Sequence, residues 1–199
     1  MTRVLRKGIT GLNKGEIISF GGYGWRVLTA QNGKVLLLCD TVIEKRAYHN
    51  SHANITWENC ELRRWLNGAF LNTFGQENIS RIAETRVATN NNPWFGTKGG
   101  GATIDRVFLL SIEEAVEYFG DSGLLRNKNP KSKFWINDEF DLARMAREDN
   151  SVACWWWLRS PGGRKSAVAG VGGLGGIDLG GNSADDASGG VRPALWLIL

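Results

Sequence analysis

The 199-residue sequence predicts an α+β fold in a single domain, residues 1–199, with antiparallel strands flanked by helices. Three observations predict it. Two apolar runs, around Trp25 and Val35, meet at Asn32-Gly33, the pair a two-residue hairpin favours because both central residues of a type I′ turn need positive φ. Between Thr56 and Gly75 the apolar spacing switches to that of a helix. The C-terminal part returns to strand alternation on both sides of a glycine-rich segment. With 42% hydrophobic and 22% charged residues the chain can bury a core and lies far from the composition of disorder.

The elements follow in order. "EIISFGGYGWRVLTAQNGKVLLLCD" reads as three short strands, divided by a Gly-rich turn and then by Asn32-Gly33. In "TWENCELRRWLNGAFLNTFG", Leu62, Trp65, Leu66 and Phe70 form one apolar stripe, with Thr56 as N-cap and Gly75 beyond the end. A second, shorter helix is expected through Ile79, Ile82, Ala83 and Val87. "TNNNPWFGTKGGGAT" is loop chemistry, and "RVFLLS" is a strand. Ser111 and Glu114 form a capping box for "IEEAVEYFG", closed by Gly120. The chain from Asp121 to Lys133 is polar and irregular, and "WINDEFDLARMARED" is expected to supply a last helix.

From Ser151 alternation puts Val152, Cys154, Trp156 and Leu158 on one face and Ala153, Trp155, Trp157 and Arg159 on the other, so neither face is wholly wet. "GVRPALWLIL" gives a final apolar strand led in by Gly190, Arg192 and Pro193. Between these flanks runs "GGRKSAVAGVGGLGGIDLGGNSADDASGG". Each glycine inside regular structure costs roughly 0.5–1 kcal/mol relative to Ala, so the segment needs its neighbours to hold it. Val171, Ile177 and Leu179 recur at even spacing and are expected to enter the core from two short strands. Apart from Lys165, every residue from Gly163 to Gly190 is reachable from an Asn codon by changing its first two bases with a pyrimidine kept at the third.

Charge and reactive groups narrow the function. The net charge of +4 is spread among carboxylates without a basic run, which argues against nucleic acid as the partner. The three cysteines, Cys39, Cys60 and Cys154, lack disulfide or metal-knuckle spacing and read as small buried groups. His49 and His52 have no companion at a zinc spacing and no catalytic context, so they read as polar surface residues. Asp138, Glu139, Asp141, Asp185 and Asp186 read as solvated carboxylates. Arg159 and Arg192 are expected to pin the ends of the glycine-rich segment through carboxylates or carbonyls. No catalytic set, metal site or cofactor is expected. No export signal or apolar span is visible, so membrane insertion is not expected and a cytoplasmic or virion-associated location is.

The frame "WWWLRSPGG" … "GVRPALWL", with the blocks "WRVL", "TWENCELRRWLNGAFLNTF", "RIAET", "NPWFGTKGG" and "FLLSIEEAVEYFGDSG", resembles a large family of bacterial and phage domains over most of the chain. That family is similar to a branch of the C-type lectin fold shared with formylglycine-generating enzymes and the variable proteins of diversity-generating retroelements. The resemblance implies a ligand-binding protein, its partner an unidentified protein or surface ligand. Residues 163–190 would be the variable segment, changed by error-prone recopying of adenines. The varied, ligand-binding positions it implies are Arg164, Val168, Gly170, Gly172, Gly173, Leu174, Gly176, Asp178, Gly180, Asn182, Ser183, Asp185 and Asp186, with Val171, Gly175, Ile177 and Gly181 as scaffold. The alternatives are a relative of the formylglycine-generating oxidases, for which only Cys154 of a cysteine pair lies in the right region, and a structural virion or surface module.

Overall fold

The fold is that of a computed structural model describing residues 3–4, 11–128, 133–148 and 152–199. It is mixed α+β, mostly antiparallel, with few and short helices. The chain opens with β1 (Arg3–Val4), β2 (Ile17–Phe20), β3 (Tyr23–Gln31) and β4 (Lys34–Cys39). Asn32 and Gly33, at φ 51° and 70°, make the expected turn between β3 and β4, and Gln31 pairs with Lys34 across it. After β5 (Glu44–Lys45) the helical stretch begins later and bends sooner than its spacing predicts. A 3-10 turn at Trp57–Asn59 precedes α1 (Glu61–Trp65), which a π-helical turn, Leu66–Phe70, continues. The cap of α1 is Cys60, whose sulfur accepts the Arg63 N–H at 3.4 Å, while the Thr56 side chain caps nothing.

The second helix, α2 (Gly75–Ile79), is also shorter than expected. Ile82 bridges to Leu197, and Ala83 N donates to the Trp196 carbonyl at 2.8 Å, so the C-terminal strand captures this backbone and overrides its helical period. Thr85–Val87 is β6, paired with β7 (Thr103–Asp105). The expected "RVFLLS" strand is regular only over β8 (Val107–Phe108), and α3 (Ile112–Phe119) follows with its capping box intact. Instead of one long helix the next stretch holds β9 (Trp135–Ile136), α4 (Asp141–Arg144) and β10 (Ala146–Arg147). β9 and β10 are drawn off by pairing with strands later in the chain.

The C-terminal part comprises β11 (Ala153–Cys154), β12 (Trp156–Pro161), β13 (Ala167–Val171), β14 (Ile177–Ser183), β15 (Gly190–Val191) and β16 (Ala194–Ile198). The first large sheet has the order β1-β2-β3-β4-β16-β8 and the second β5-β15-β12-β13-β14-β9. The lead-in to the last strand is itself paired: β15 belongs to the second sheet and β16 to the first, and the chain changes sheet at Arg192-Pro193. The apolar residues of both sheets form one contiguous buried cluster with Trp57, Leu62 and Ile112. Among the described residues no helix is long and apolar enough to cross a membrane.

Cross-strand register fixes what the second sheet shows to each side. Trp156, Val171, Ile177 and Ile136 are successive partners across β12, β13, β14 and β9, and all four are buried. The next row, Trp157, Gly170, Asp178 and Trp135, therefore lies on the opposite face. Trp157 is sealed beneath Tyr48, with its indole N–H on the Arg46 carbonyl at 2.9 Å. Trp135 and Asp178 are half-buried at the candidate site, and Gly170, between Trp157 and Asp178 in the row, is buried beneath it.

Candidate functional site

The glycine-rich segment forms the centre of the second sheet. Its hairpin, β13 to β14, turns through Gly172–Gly176, where Gly172 N donates to the Gly176 carbonyl at 2.8 Å. Val171, Ile177 and Leu179 enter the core as expected. Gly175 has φ +92°, and a Cβ there would lie 1.7 Å from the Asp141 carbonyl oxygen; a Cβ on Gly181 would lie 2.2 Å from the Val168 carbonyl oxygen. Neither position tolerates a side chain.

The thirteen candidate positions divide by geometry. Arg164 is exposed, Leu174 at the hairpin tip is 83% exposed, and Asp185 and Asp186 lie on the outer loop. Gly173 has only ordinary contacts around its missing Cβ, the nearest at 3.5 Å. Gly170, Gly172 and Gly180 are tighter, with nearest atoms at 3.0–3.1 Å, and each lines a surface cavity. Two positions do not belong on a presenting surface. Val168 is 1% exposed and faces the core, and Gly176 is buried with its Cβ site 2.2 Å from Asn137 Oδ1. The alternation that carries their neighbours outward slips at a register shift between Val168 and Gly170.

Two adjoining cavities open on this face. One of about 320 Å³ is lined by Phe95, Phe134, Trp135, Arg164, Asp178 and Gly180. The other, about 250 Å³, is bounded by Trp135, Trp155, Gly170, Gly172, Asp178 and Asn182. Asp178 and Trp135 are common to both. Asp178 Oδ1 accepts the N–H groups of Gly180 and Gly181 at 2.9 and 3.0 Å, yet burial outweighs these bonds and raises its pKa above the ordinary carboxylate value.

Sequence reasoning missed Phe95, Phe134 and Trp135. The first is placed by Asn92, which is 1% exposed. Its Nδ2 donates to the carbonyls of Pro161 and Leu179, both at 2.8 Å, and its Oδ1 accepts the Trp94 and Phe95 N–H groups at 3.0 and 3.1 Å. The Asn-rich, aromatic "NNNPWF" is thus the buckle between a remote loop and the hairpin, and buried Asn beside aromatics is the signal that could have found it. Phe134 is set by its carbonyl, which accepts Leu179 N–H at 2.8 Å.

The supports of the site are charged. Arg144 is fully buried, with Nε donating to the Gly175 carbonyl at 2.8 Å and Nη2 to both Asp138 and Asp141 at 2.5 Å. Asp138 and Asp141, read from sequence as solvated, are therefore structural. Burial disfavours the Asp138 carboxylate, but hydrogen bonds from Arg144, Ser122 and the Phe140 N–H outweigh it and hold the pKa below normal. Arg159 pins its end as expected, with Nη1 and Nη2 on the two oxygens of Glu114 at 2.5 and 2.9 Å and further bonds to Ala88 and Leu109 carbonyls. Arg192 meets carbonyls instead, those of Cys39, Arg144 and Asp40 at 2.8, 3.2 and 3.4 Å. Its guanidinium stacks 5.0 Å from Trp156, and burial lowers its pKa to about 10.

The reactive residues are arranged as follows. His49 lies against Glu61. His52 Nδ1 is 2.8 Å from Ser183 Oγ, which donates to Asp185 at 2.5 Å. No spacing along the chain points to this His-Ser-Asp contact. Serine and carboxylate share one side of the exposed imidazole, Asp185 lying 3.7 Å from that same nitrogen, whereas a catalytic triad places them on opposite nitrogens. The contact ties the loop at residues 50–53 to the hairpin rim. Burial raises the thiols of Cys39 and Cys60 to about 11 and 12 and lifts Cys154 above its usual value, the reverse of what thiolate chemistry needs.

Fold and site together define an α+β domain whose second sheet carries a glycine-floored face walled by aromatic rings. Residues 32–199 match the model of a domain of unknown function, DUF6273, and the chain belongs to that family. No curated protein and no solved structure matches it.

Proposed function

We propose that this is a ligand-binding protein, with a protein as its expected partner, that presents exchangeable residues of segment 163–190 on a fixed scaffold of C-type lectin type. It would be a variable protein of a diversity-generating retroelement. The observation that carries the reading is the two-sided hairpin: Val171, Ile177 and Leu179 are locked in the core, while Arg164, Gly173, Asp178 and Asn182 stand around two open cavities and Leu174 is exposed at the hairpin tip. Side chains can change there without disturbing the packing that holds the sheet.

The reading refines the set of varied positions. Val168 and Gly176 leave it, and Gly170, Gly172 and Gly180 accept only side chains that their ring and backbone neighbours can make room for. The test is a library at Arg164, Gly173, Leu174, Asn182, Ser183 and Asp186, displayed on the intact chain and panned against unrelated proteins. Enrichment of different sequences for different targets, at nearly constant melting temperature, is the expected result. A library that folds and yields no target-dependent selection assigns the domain to a structural role. Codons at these positions ending in C or T, beside a near-identical template and a reverse-transcriptase gene, are expected for the retroelement origin, and their absence removes that part.

A further inference from the structure

The aromatic walls of the two cavities lie outside the segment 163–190. The Trp135 ring is 3.0 Å from the Cβ site of Gly172, and the Trp155 ring is 3.6 Å from that of Gly170, so with no side chain at these two floor positions both half-buried indoles line the smaller cavity. Phe95 and Phe134 extend the wall, their centroids 5.6 Å apart. Asp178 lies at the shared base. Among the described residues no cation contributes to the environment of its carboxylate. Arg164 lines the larger cavity but makes no ion pair with it. Lys128 is held over the Trp94 and Phe95 rings at 4.8 and 5.1 Å.

A partly desolvated carboxylate without a counter-ion is an energetic defect that a positive charge repairs. Ring faces carry negative potential and attract the same charge, by about 0.5–2 kcal/mol per contact. An anion is repelled by both, and a neutral ligand leaves the carboxylate uncompensated. We propose that this face binds an organic ammonium group, with Asp178 as counter-ion and Trp135 and Trp155 as walls. The proposal rests on the ligand-surface reading above and sharpens it: fixed rings supply a general aromatic trough, and the exchangeable residue at 178 sets the charge that each variant accepts. The ammonium group can belong to a small molecule or to a lysine-derived side chain of a partner protein.

The experiment titrates the intact chain, followed by tryptophan fluorescence and calorimetry, with choline, its uncharged isostere dimethylbutanol, a trimethyllysine peptide and methyl glucoside. Choline is expected to saturate and to bind at least about ten-fold more tightly than the isostere. Asp178→Asn and Trp135→Leu should each weaken choline about ten-fold or more, while circular dichroism reports an unchanged fold. A peptide that binds more tightly than choline names a protein side chain as the source, and the reverse order names a small molecule. Equal binding of choline and isostere, preference for the glucoside, no saturable choline response at millimolar concentration, or an Asp178→Asn protein that binds as before overturns the proposal. Failure with choline while the displayed library still selects targets removes the ammonium assignment and leaves the ligand-surface reading standing.

Discussion

Two neighbouring glycines behave oppositely, and the difference lies in a single Cβ. Gly173→Ser places its Cβ at ordinary van der Waals distance, 3.5 Å from the nearest atom, and should change stability by no more than about 0.5 kcal/mol. Gly175→Ala must place a methyl 1.7 Å from the Asp141 carbonyl oxygen at φ +92°, and should cost about 3 kcal/mol or more. Urea unfolding of the two variants checks this pair directly. Asp178 makes a separate prediction. Its folded pKa is raised, so the native state binds more protons than the unfolded chain between the ordinary carboxylate value, about 3.9, and the raised one. Its charged form therefore burdens the fold at neutral pH, and stability recovers as pH falls through that window. Asp178→Asn should melt higher than the parent at pH 7 and lose the recovery.

At the scale of elements, α4 and the hairpin tip are one unit because Arg144 holds Asp138, Asp141 and the Gly175 carbonyl together. The acid response of Asp138 has the opposite sign to that of Asp178. A folded pKa below the ordinary value supplies stability above about 3.9 that is lost as pH falls further through the folded pKa. Asp138→Asn should flatten this acid limb while lowering stability at pH 7, as thermal melts from pH 2 to 7 would reveal. The β3–β4 turn and the capping box of α3 were legible in the sequence because both are local, set by residues within four positions of each other. The cap at Cys60, the early end of α2 and the replacement of a helix by β9 and β10 were not legible. The last two are decided by a partner far along the chain, such as Leu197 for Ile82 or Ile177 for Ile136, whereas the Cys60 cap is local, closed by Arg63, and was missed because cysteine is not among the favoured cap residues. The site followed the same rule: the floor was visible in its glycines, whereas Phe95, Phe134 and Trp135 reach it only through Asn92 and strand pairing.

Across the whole molecule Arg192 joins the two large sheets, bonding to Cys39 at the end of β4 and to Arg144 beneath the hairpin while stacking on Trp156. Arg192→Met would leave carbonyls without donors in a dry interior, at a cost of about 3 kcal/mol. Trp156→Ala, which opens a void between the sheets, should cost about 3–5 kcal/mol. Denaturant midpoints would rank both well below Gly173→Ser; equal midpoints for Arg192→Met and the parent would show that the inter-sheet tie is dispensable. Trp156 pairs with Val171 and the hairpin in turn forms the middle of its sheet, so on the proposed function only its outward positions would be free to differ.

The placement of β16 between β4 and β8, in the interior of the first sheet and after the glycine-rich segment in the chain, has a genetic corollary. Were residues 163–190 rewritten as the proposed function has it, any slip of reading frame would garble the very strand that knits the opening sheet together. Such a product leaves β4 with a bare hydrogen-bonding edge, the kind of surface that aggregates and invites proteolysis. Under the proposed function the architecture would screen its own variants: only copies that preserve the triplet phase would survive to meet a ligand.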